Sequence, residues 1–316
     1  MNNNIRIFTG NANPELAGKI CDHLQVPLGR AMVTTFSDGE IRVEIGENVR
    51  GRDVFLIQST CPPASQNLME LLVMMDAVKR ASARRITAVV PYFGFARQDR
   101  KVAPRVPITA KLVADLLSTA GAHRVLTLDL HVGQIQGFFN IPVDNLYASP
   151  IIIPYIKEKF RDDLAIVSPD AGGVARARAY AKRLDASLGL VDKRRDAPGK
   201  AKAMHLIGEV LGKEVVILDD IIDTGGTLRE AAGAIVQRGA RNVYACCTHA
   251  VLSGPAVQNL MDSPLTSLVV TDTIPLGEKA GNCPKIVVLS VAHLFARAIE
   301  NIHKEDSISS LFEIHF

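Results

Sequence analysis

The sequence predicts an α/β protein of two domains, each built on a mainly parallel central sheet flanked by helices. Three observations predict it. Short β-branched runs alternate with amphipathic helical stretches along the chain. The runs are apolar on both faces, as strands buried within a parallel sheet are. The length, 316 residues, exceeds one typical domain of roughly 100 to 200 residues.

In chain order the predicted strands cover 54–57, 86–90, 125–130, 164–167, 215–218, 243–247, 268–270 and 286–289. Between them, 67–79, 108–118, 174–184 and 227–238 carry helical periodicity. The halves echo one another. Gly51-Arg-Asp-Val-Phe-Leu-Ile parallels Gly212-Lys-Glu-Val-Val-Ile-Leu, and Ala83-Arg-Arg-Ile-Thr-Ala parallels Ala240-Arg-Asn-Val-Tyr-Ala. A duplicated α/β domain accounts for this, with a boundary near Pro150, where Pro142 and Pro150 bracket a stretch without periodicity. The expected domains are 1–149 and 150–305, with 306–316 packing on the first.

Composition narrows the class. Hydrophobic residues make up 47% and charged residues 22%, a balance that favours compact folding. Lysine and arginine total 36 against 33 acidic residues, so a net charge of +3 gives little long-range pull on a polyanion. There is no tryptophan, and the 5 tyrosines and 11 phenylalanines are dispersed rather than interleaved with arginine, so no base-stacking platform is expected. Nucleic acid is not an expected partner. The segment from Met1 to Asn4 is polar, and the most apolar stretch, 71–78, is broken by Asp76. The expectation is a cytoplasmic protein without a membrane partner. The 5 cysteines lack metal-knuckle spacing and read as reduced, buried thiols.

The strongest local pattern is Val215-Val-Ile-Leu-Asp-Asp-Ile-Ile-Asp-Thr-Gly-Gly-Thr227, a strand running into carboxylates, a glycine pair and a helix. Gly225 and Gly226 let backbone N–H groups approach a phosphate at the helix start, and Thr224 and Thr227 add hydroxyl donors. Asp219 and Asp220 repel bare phosphate, so they suit sugar hydroxyls or a metal. The ligand reads as a sugar phosphate. The spacing is not that of a Walker nucleotide loop.

This segment resembles the phosphoribosyl pyrophosphate loop shared by type I phosphoribosyltransferases and ribose-phosphate pyrophosphokinases. In the resemblance Asp219 and Asp220 bind ribose hydroxyls, and Asp223, Thr224, Gly225, Gly226 and Thr227 wrap the 5-phosphate. Further segments, spread over nearly the whole chain, resemble the class I pyrophosphokinases specifically, which implies two duplicated phosphoribosyltransferase-like domains.

Phe36, Ser37, Asp38, Gly39 and Glu40 join an aromatic ring to two acids around a turn glycine, suited to stacking adenine and accepting its amine. The resemblance gives Phe36, Asp38 and Glu40 to ATP. Residues 91–101, Pro-Tyr-Phe-Gly-Phe-Ala-Arg-Gln-Asp-Arg-Lys, set three cations within five residues after a buried strand, where parallel sheets bind ligands. By resemblance Arg97, Gln98 and Asp99 also contact ATP.

Asp129-Leu-His131 and Ser168-Pro-Asp-Ala-Gly-Gly173 end two further strands, and the resemblance makes His131 and Asp170 ligands of the Mg2+ that travels with ATP. Hard-cation chemistry favours Asp170, since Mg2+ prefers oxygen to imidazole. Val191-Asp-Lys-Arg-Arg195 precedes an aperiodic Pro-Gly segment. The resemblance marks Lys193 and Arg195 as catalytic, and fixed cations there stabilise charge moving onto phosphoryl oxygens.

The resemblance further implies a homohexamer regulated by inorganic phosphate and ADP. Arg50, Ser82, Arg105, Ser307 and Ser309 match its regulatory pocket, and Asn48 stands where relatives often carry serine. The implied reaction converts ribose 5-phosphate and ATP to phosphoribosyl pyrophosphate (PRPP) and AMP. A transferase that consumes PRPP and a non-catalytic associated subunit are the rival readings. The ATP-like segments oppose the first, and retention of Lys193, Arg195, His131, Asp170 and the 219–227 cradle opposes the second.

Overall fold

The computed structural model describes residues 4–160, 163–194 and 203–312. Two compact units divide the chain. Of the described residues, the first comprises 4–147, 273–275 and 290–312, and the second comprises 148–160, 163–194, 203–272 and 276–289.

In the first unit five parallel strands follow one another across the sheet as β1-β4-β5-β6-β7. They are β1 (Ile5–Thr9), β4 (Asp53–Ile57), β5 (Arg85–Val90), β6 (Arg124–Leu128) and β7 (Val143–Leu146), with β2 (Ala31–Thr35) and β3 (Ile41–Ile45) forming a separate antiparallel hairpin. Every residue of β4 is buried, which explains its unbroken apolar run. The helices α1 (Pro14–Leu24), α2 (Ala64–Arg80) and α3 (Thr109–Ala120) cover the sheet. Asn13 starts α1 by accepting from Leu16 N at 3.1 Å ahead of Pro14, an N-cap followed by a residue with φ already set for helix. Leu71, Met74, Met75 and Val78 of α2 pack with Val54, Leu56, Ile86 and Ala88 in one core. Each Leu, Met, Val or Ile side chain buried this way contributes about 1.5–3 kcal/mol.

The second unit holds a seven-stranded sheet in the order β10-β9-β8-β11-β12-β13-β14. Its strands are β8 (Leu164–Ser168), β9 (Ser187–Arg194), β10 (Ala203–Ile207), β11 (Glu214–Ile222), β12 (Asn242–Ala250), β13 (Ser267–Thr271) and β14 (Ile286–Leu289), all parallel except β10. The helices are α4 (Ser149–Lys159), α5 (Val174–Leu184), α6 (Gly226–Gln237), α7 (Ala256–Met261) and α8 (Glu278–Gly281). From β8 the chain passes to β9 on one side, while β11 pairs on the other. The strand order therefore reverses between β8 and β11, and such a switch point opens a crevice at the carboxyl ends of the strands.

The last helix, α9 (Ala292–Lys304), departs from the expected 150–305 grouping, because it belongs to the first unit. Its buried face, with Leu294, Phe295, Ala298, Ile299 and Ile302, packs on α1 from the opposite end of the chain. An apolar stripe must be covered, and α1 offers the matching one. Arg85 Nη2 donates to Ile302 O at 2.9 Å, and His303 Nδ1 stands 2.8 Å from Asp53 Oδ2, tying the end of α9 to the start of β4 and β5.

All 5 cysteines are free of disulfides and buried; burial pushes the Cys246 thiol up to about 12. Among the described residues, no helix is long and apolar enough to cross a membrane.

Candidate active site

In the second unit, three neighbouring strands, β9, β8 and β11, bring candidate residues to one sheet edge. Lys193 is the penultimate residue of β9, in register with Met204 of β10. Arg195 lies outside the described residues. Asp170 follows β8, where its Oδ1 accepts from Gly173 N at 3.1 Å and Ser168 Oγ donates to its carbonyl at 2.7 Å. These bonds close a tight loop at the start of α5, with the Asp170 side chain exposed.

The segment 219–227 follows the same logic one strand over. Asp219 and Asp220 are the sixth and seventh residues of β11, and Asp220 is only 5% exposed. Burial first, and then the adjacent Asp220 charge, push the Asp219 carboxyl up to about 7. Arg176, from the first turn of α5, pairs with Asp220 Oδ1 at 2.9 Å across the switch point. Beyond the strand, Ser253 N donates to Asp223 O at 3.1 Å, Ser253 Oγ donates to Asp223 Oδ1, and Asn259 Nδ2 donates to Thr224 O at 2.8 Å.

Gly225 then caps α6 with φ 73°, a left-handed conformation costly for any residue with a Cβ. The loop is thus fixed by its own neighbours, while the exposed Thr224 and Thr227 and the first amides of α6 form a cradle for an anion.

The first unit holds the other set. Phe36, Asp38 and Glu40 occupy the tip of the β2–β3 hairpin, closed by Phe36 N donating to Glu40 O at 2.8 Å and Glu40 N donating to Asp38 Oδ1 at 3.0 Å. The Phe36 ring is 50% exposed, with the Arg42 guanidinium 5.7 Å from its centroid. An exposed aromatic face beside a cation is suited to stack a planar base.

Arg97, Gln98 and Asp99 leave the carboxyl end of β5, and His131 leaves that of β6, the adjacent strand. Gln98 is held by Thr109 Oγ1 donating to its Oε1 and by its carbonyl accepting from Ala110 N at 3.1 Å; Arg97 and His131 are exposed.

The six residues matched to a regulatory pocket separate. Asn48 Oδ1 accepts from Arg50 N at 3.0 Å, and Gly51 N donates to Ser82 O at 2.9 Å, which gathers Asn48, Arg50 and Ser82 at the amino ends of β4 and β5. Ser307 and Ser309, joined by a 2.9 Å hydroxyl bond, follow α9, whose end is tied to that same edge. Arg105 stands instead on the β5–α3 loop, which leaves the opposite edge.

Comparison with known proteins decides the family. The N-terminal domain of ribose phosphate pyrophosphokinase matches residues 5–121, and a phosphoribosyl synthetase-associated domain matches 195–313. The ribose-phosphate pyrophosphokinase of Marinomonas sp. (strain MWYL1) is 57% identical, covering 98% of each chain, and that of Ralstonia nicotianae is 58% identical with the same coverage. The crystal structure of phosphoribosylpyrophosphate synthetase from Mycobacterium smegmatis superposes with a TM-score of 0.91 at 42% identity, covering 96% of this chain and 99% of that one. The chain belongs to the ribose-phosphate pyrophosphokinase family.

Within this pyrophosphokinase-family chain, two groups of residues at the strand ends were not apparent from sequence. Arg176 is one. A cation in the first turn of a helix opposes the macrodipole, and that was the signal available. The other is the exposed Asn11 with the buried Gln58 and Glu70, joined behind the hairpin of the first unit. Its trace in the sequence is Glu70, an acid set between Met69 and Leu71 in α2.

Proposed function

We propose that this chain transfers the pyrophosphoryl group of ATP to the C1 hydroxyl of ribose 5-phosphate, giving PRPP and AMP. The observation that carries the reading is the 219–227 loop, in which strand-end carboxylates lead into Gly225 at φ 73° and the first amides of α6. Helix-start amides suit the 5-phosphate, and Asp219 and Asp220 suit the ribose hydroxyls.

In this reading Phe36, Asp38, Glu40, Arg97, Gln98 and Asp99 hold ATP. The C1 oxygen forms a bond to the β-phosphorus, the bond from that phosphorus to the oxygen bridging to the α-phosphorus breaks, and AMP departs with the bonding pair. The hydroxyl proton passes to solvent. Lys193 and Arg195 stabilise the charge that shifts onto phosphoryl oxygens.

Mg2+ belongs to the same proposal, with Asp170 and His131 as its protein ligands. Among the described residues, no cluster of three or more His, Cys, Asp or Glu side chains is placed to hold a metal. A single exposed carboxylate such as Asp170 fits an ion that keeps triphosphate oxygens and waters as its other ligands. When bound, Mg2+ neutralises triphosphate charge and polarises the transferred group. Phosphate activation and ADP inhibition through Asn48, Arg50, Ser82, Arg105, Ser307 and Ser309, homohexameric assembly and a cytoplasmic location complete the proposal, supported by family membership.

The test is to incubate the chain with ATP and Mg2+, with and without ribose 5-phosphate, and to follow AMP. Release that depends on the sugar is expected. ADP as product means γ-phosphoryl transfer and refutes the mechanism.

A further inference from the structure

We propose that Glu70, acting through Asn11, is a positioning residue for the nucleotide, fixing the hairpin whose tip carries Phe36, Asp38 and Glu40. The inference rests on reading that tip as part of the ATP site.

Glu70 lies on α2 and is 2% exposed. Its carboxylate accepts from Asn11 N at 3.1 Å, Asn11 Nδ2 at 3.0 Å and Gln58 Nε2 at 2.8 Å, all neutral donors. A buried carboxylate held by neutral donors alone is costly, and an apolar side chain fills the same space more cheaply. Packing therefore does not account for the acid, whereas the direction it imposes on Asn11 does.

The second hydrogen of Asn11 Nδ2 goes to Val33 O at 3.1 Å. Because both neighbours of that nitrogen are acceptors, the orientation of the carboxamide is determined. Val33 lies on β2, three positions before Phe36. Among the described residues the hairpin strands pair only with each other, and an isolated two-stranded ribbon is marginal in water. Its apolar face, including Val33 and Val43, rests on the core of the first unit, but such contact is non-directional and tolerates sliding. The bond from Asn11 to Val33 is directional and sets where the tip stands.

The rest of the cluster keeps Glu70 in place. Gln58, 1% exposed, accepts from Ala12 N at 3.0 Å through Oε1 and donates to Asn67 O at 3.2 Å. A Cβ on Gly10 would lie 2.5 Å from Gln58 Oε1, so the arrangement requires glycine there. Residues 10–12 and 58 follow the carboxyl ends of β1 and β4, the sheet edge from which the Arg97 and His131 loops also leave.

Steady-state kinetics of the full chain with ribose 5-phosphate, ATP and Mg2+ test the proposal, using Asn11→Ala, Asn11→Asp, Glu70→Gln and Phe36→Ala. Asn11→Asp is isosteric but cannot donate to Val33 and repels Glu70. Glu70→Gln keeps the volume while turning an amide toward N–H donors. Each of these three is expected to raise KM for ATP about five- to tenfold, the value of one or two hydrogen bonds, with KM for ribose 5-phosphate within about twofold of the parent. The thermal midpoint should stay close to the parent's for Asn11→Ala, since Asn11 is exposed. If KM for ATP is unchanged in the Asn11 variants while Phe36→Ala raises it, the positioning role is wrong and the ATP reading of the tip stands. If both KM values rise together with a fall in thermal midpoint, the cluster is structural and the proposal fails. If Phe36→Ala leaves KM for ATP unchanged, the reading of the tip falls and takes this inference with it.

Discussion

Arg176 Nη1 stands 2.9 Å from Asp220 Oδ1, joining the first turn of α5 to the end of β11. Removing one partner of a largely buried pair leaves an uncompensated charge, at a cost of about 3–5 kcal/mol. Arg176→Met is therefore expected to lower the urea midpoint and to raise KM for ribose 5-phosphate more than KM for ATP. Arg176→Lys should recover part of both. Unfolding curves and substrate kinetics together check this, and an unchanged sugar KM would remove Asp220 from the sugar site.

Asp219 gives a pH dependence of definite sign. Its folded carboxyl is held near 7 by burial and by the Asp220 charge. An unfolded aspartate titrates at about 3.9, so between about pH 4 and pH 7 the folded state keeps a proton that the unfolded chain has lost. The stability contributed by that proton is full below the unfolded value and is lost as pH rises through the folded one. Asp219→Asn removes the effect. Its thermal midpoint relative to the parent, measured without substrate or metal, should be more favourable at pH 8 than at pH 5.

Gly225 has φ 73°, and a Cβ there would meet Ala256 O at 3.3 Å. Gly225→Ala is expected to destabilise the chain by about 1–2 kcal/mol, the cost of a left-handed residue with a side chain. KM for ribose 5-phosphate should rise as the α6 amides shift. Chemical denaturation measures the first effect and kinetics the second. A fully stable variant with normal sugar affinity would show that the loop tolerates another geometry.

Lys193 closes β9 at the same edge as Asp170 and Asp219. If its ammonium acts mainly in the transition state, Lys193→Ala should lower kcat by about 10²–10³ while KM for ATP changes little. Equal loss in binding and turnover would make it a ground-state ligand instead.

The strands buried on both faces were legible because their apolar runs are continuous; β4 and β13 are buried at every position. The hairpin strands β2 and β3 alternate between half-buried and exposed residues and carry Arg42 and Glu44, so neither shows a continuous run. In β9, Gly189, Asp192 and Lys193 interrupt the apolar signal. The periodicity of α9 is visible in sequence, but its partner α1 lies at the far end of the chain, and periodicity says nothing about which core a helix joins. The 219–227 cradle was readable because one continuous segment supplies all its parts. The cluster around Glu70 was not, since Asn11 lies 59 positions away and the pairing exists only once β1, β4 and α2 are packed.

Asn48, Arg50 and Ser82 sit at one rim of the first sheet and Arg97 and His131 at the other, with β4 and β5 running between. Strands of five or six residues span roughly 17–20 Å. A small anion held at the amino rim therefore cannot touch a nucleotide at the carboxyl rim. Within one chain β4 and β5 are the rigid elements that join the two rims, so a shift carried between them displaces their backbone, and stiffening either strand would mute it without altering a single ligand contact.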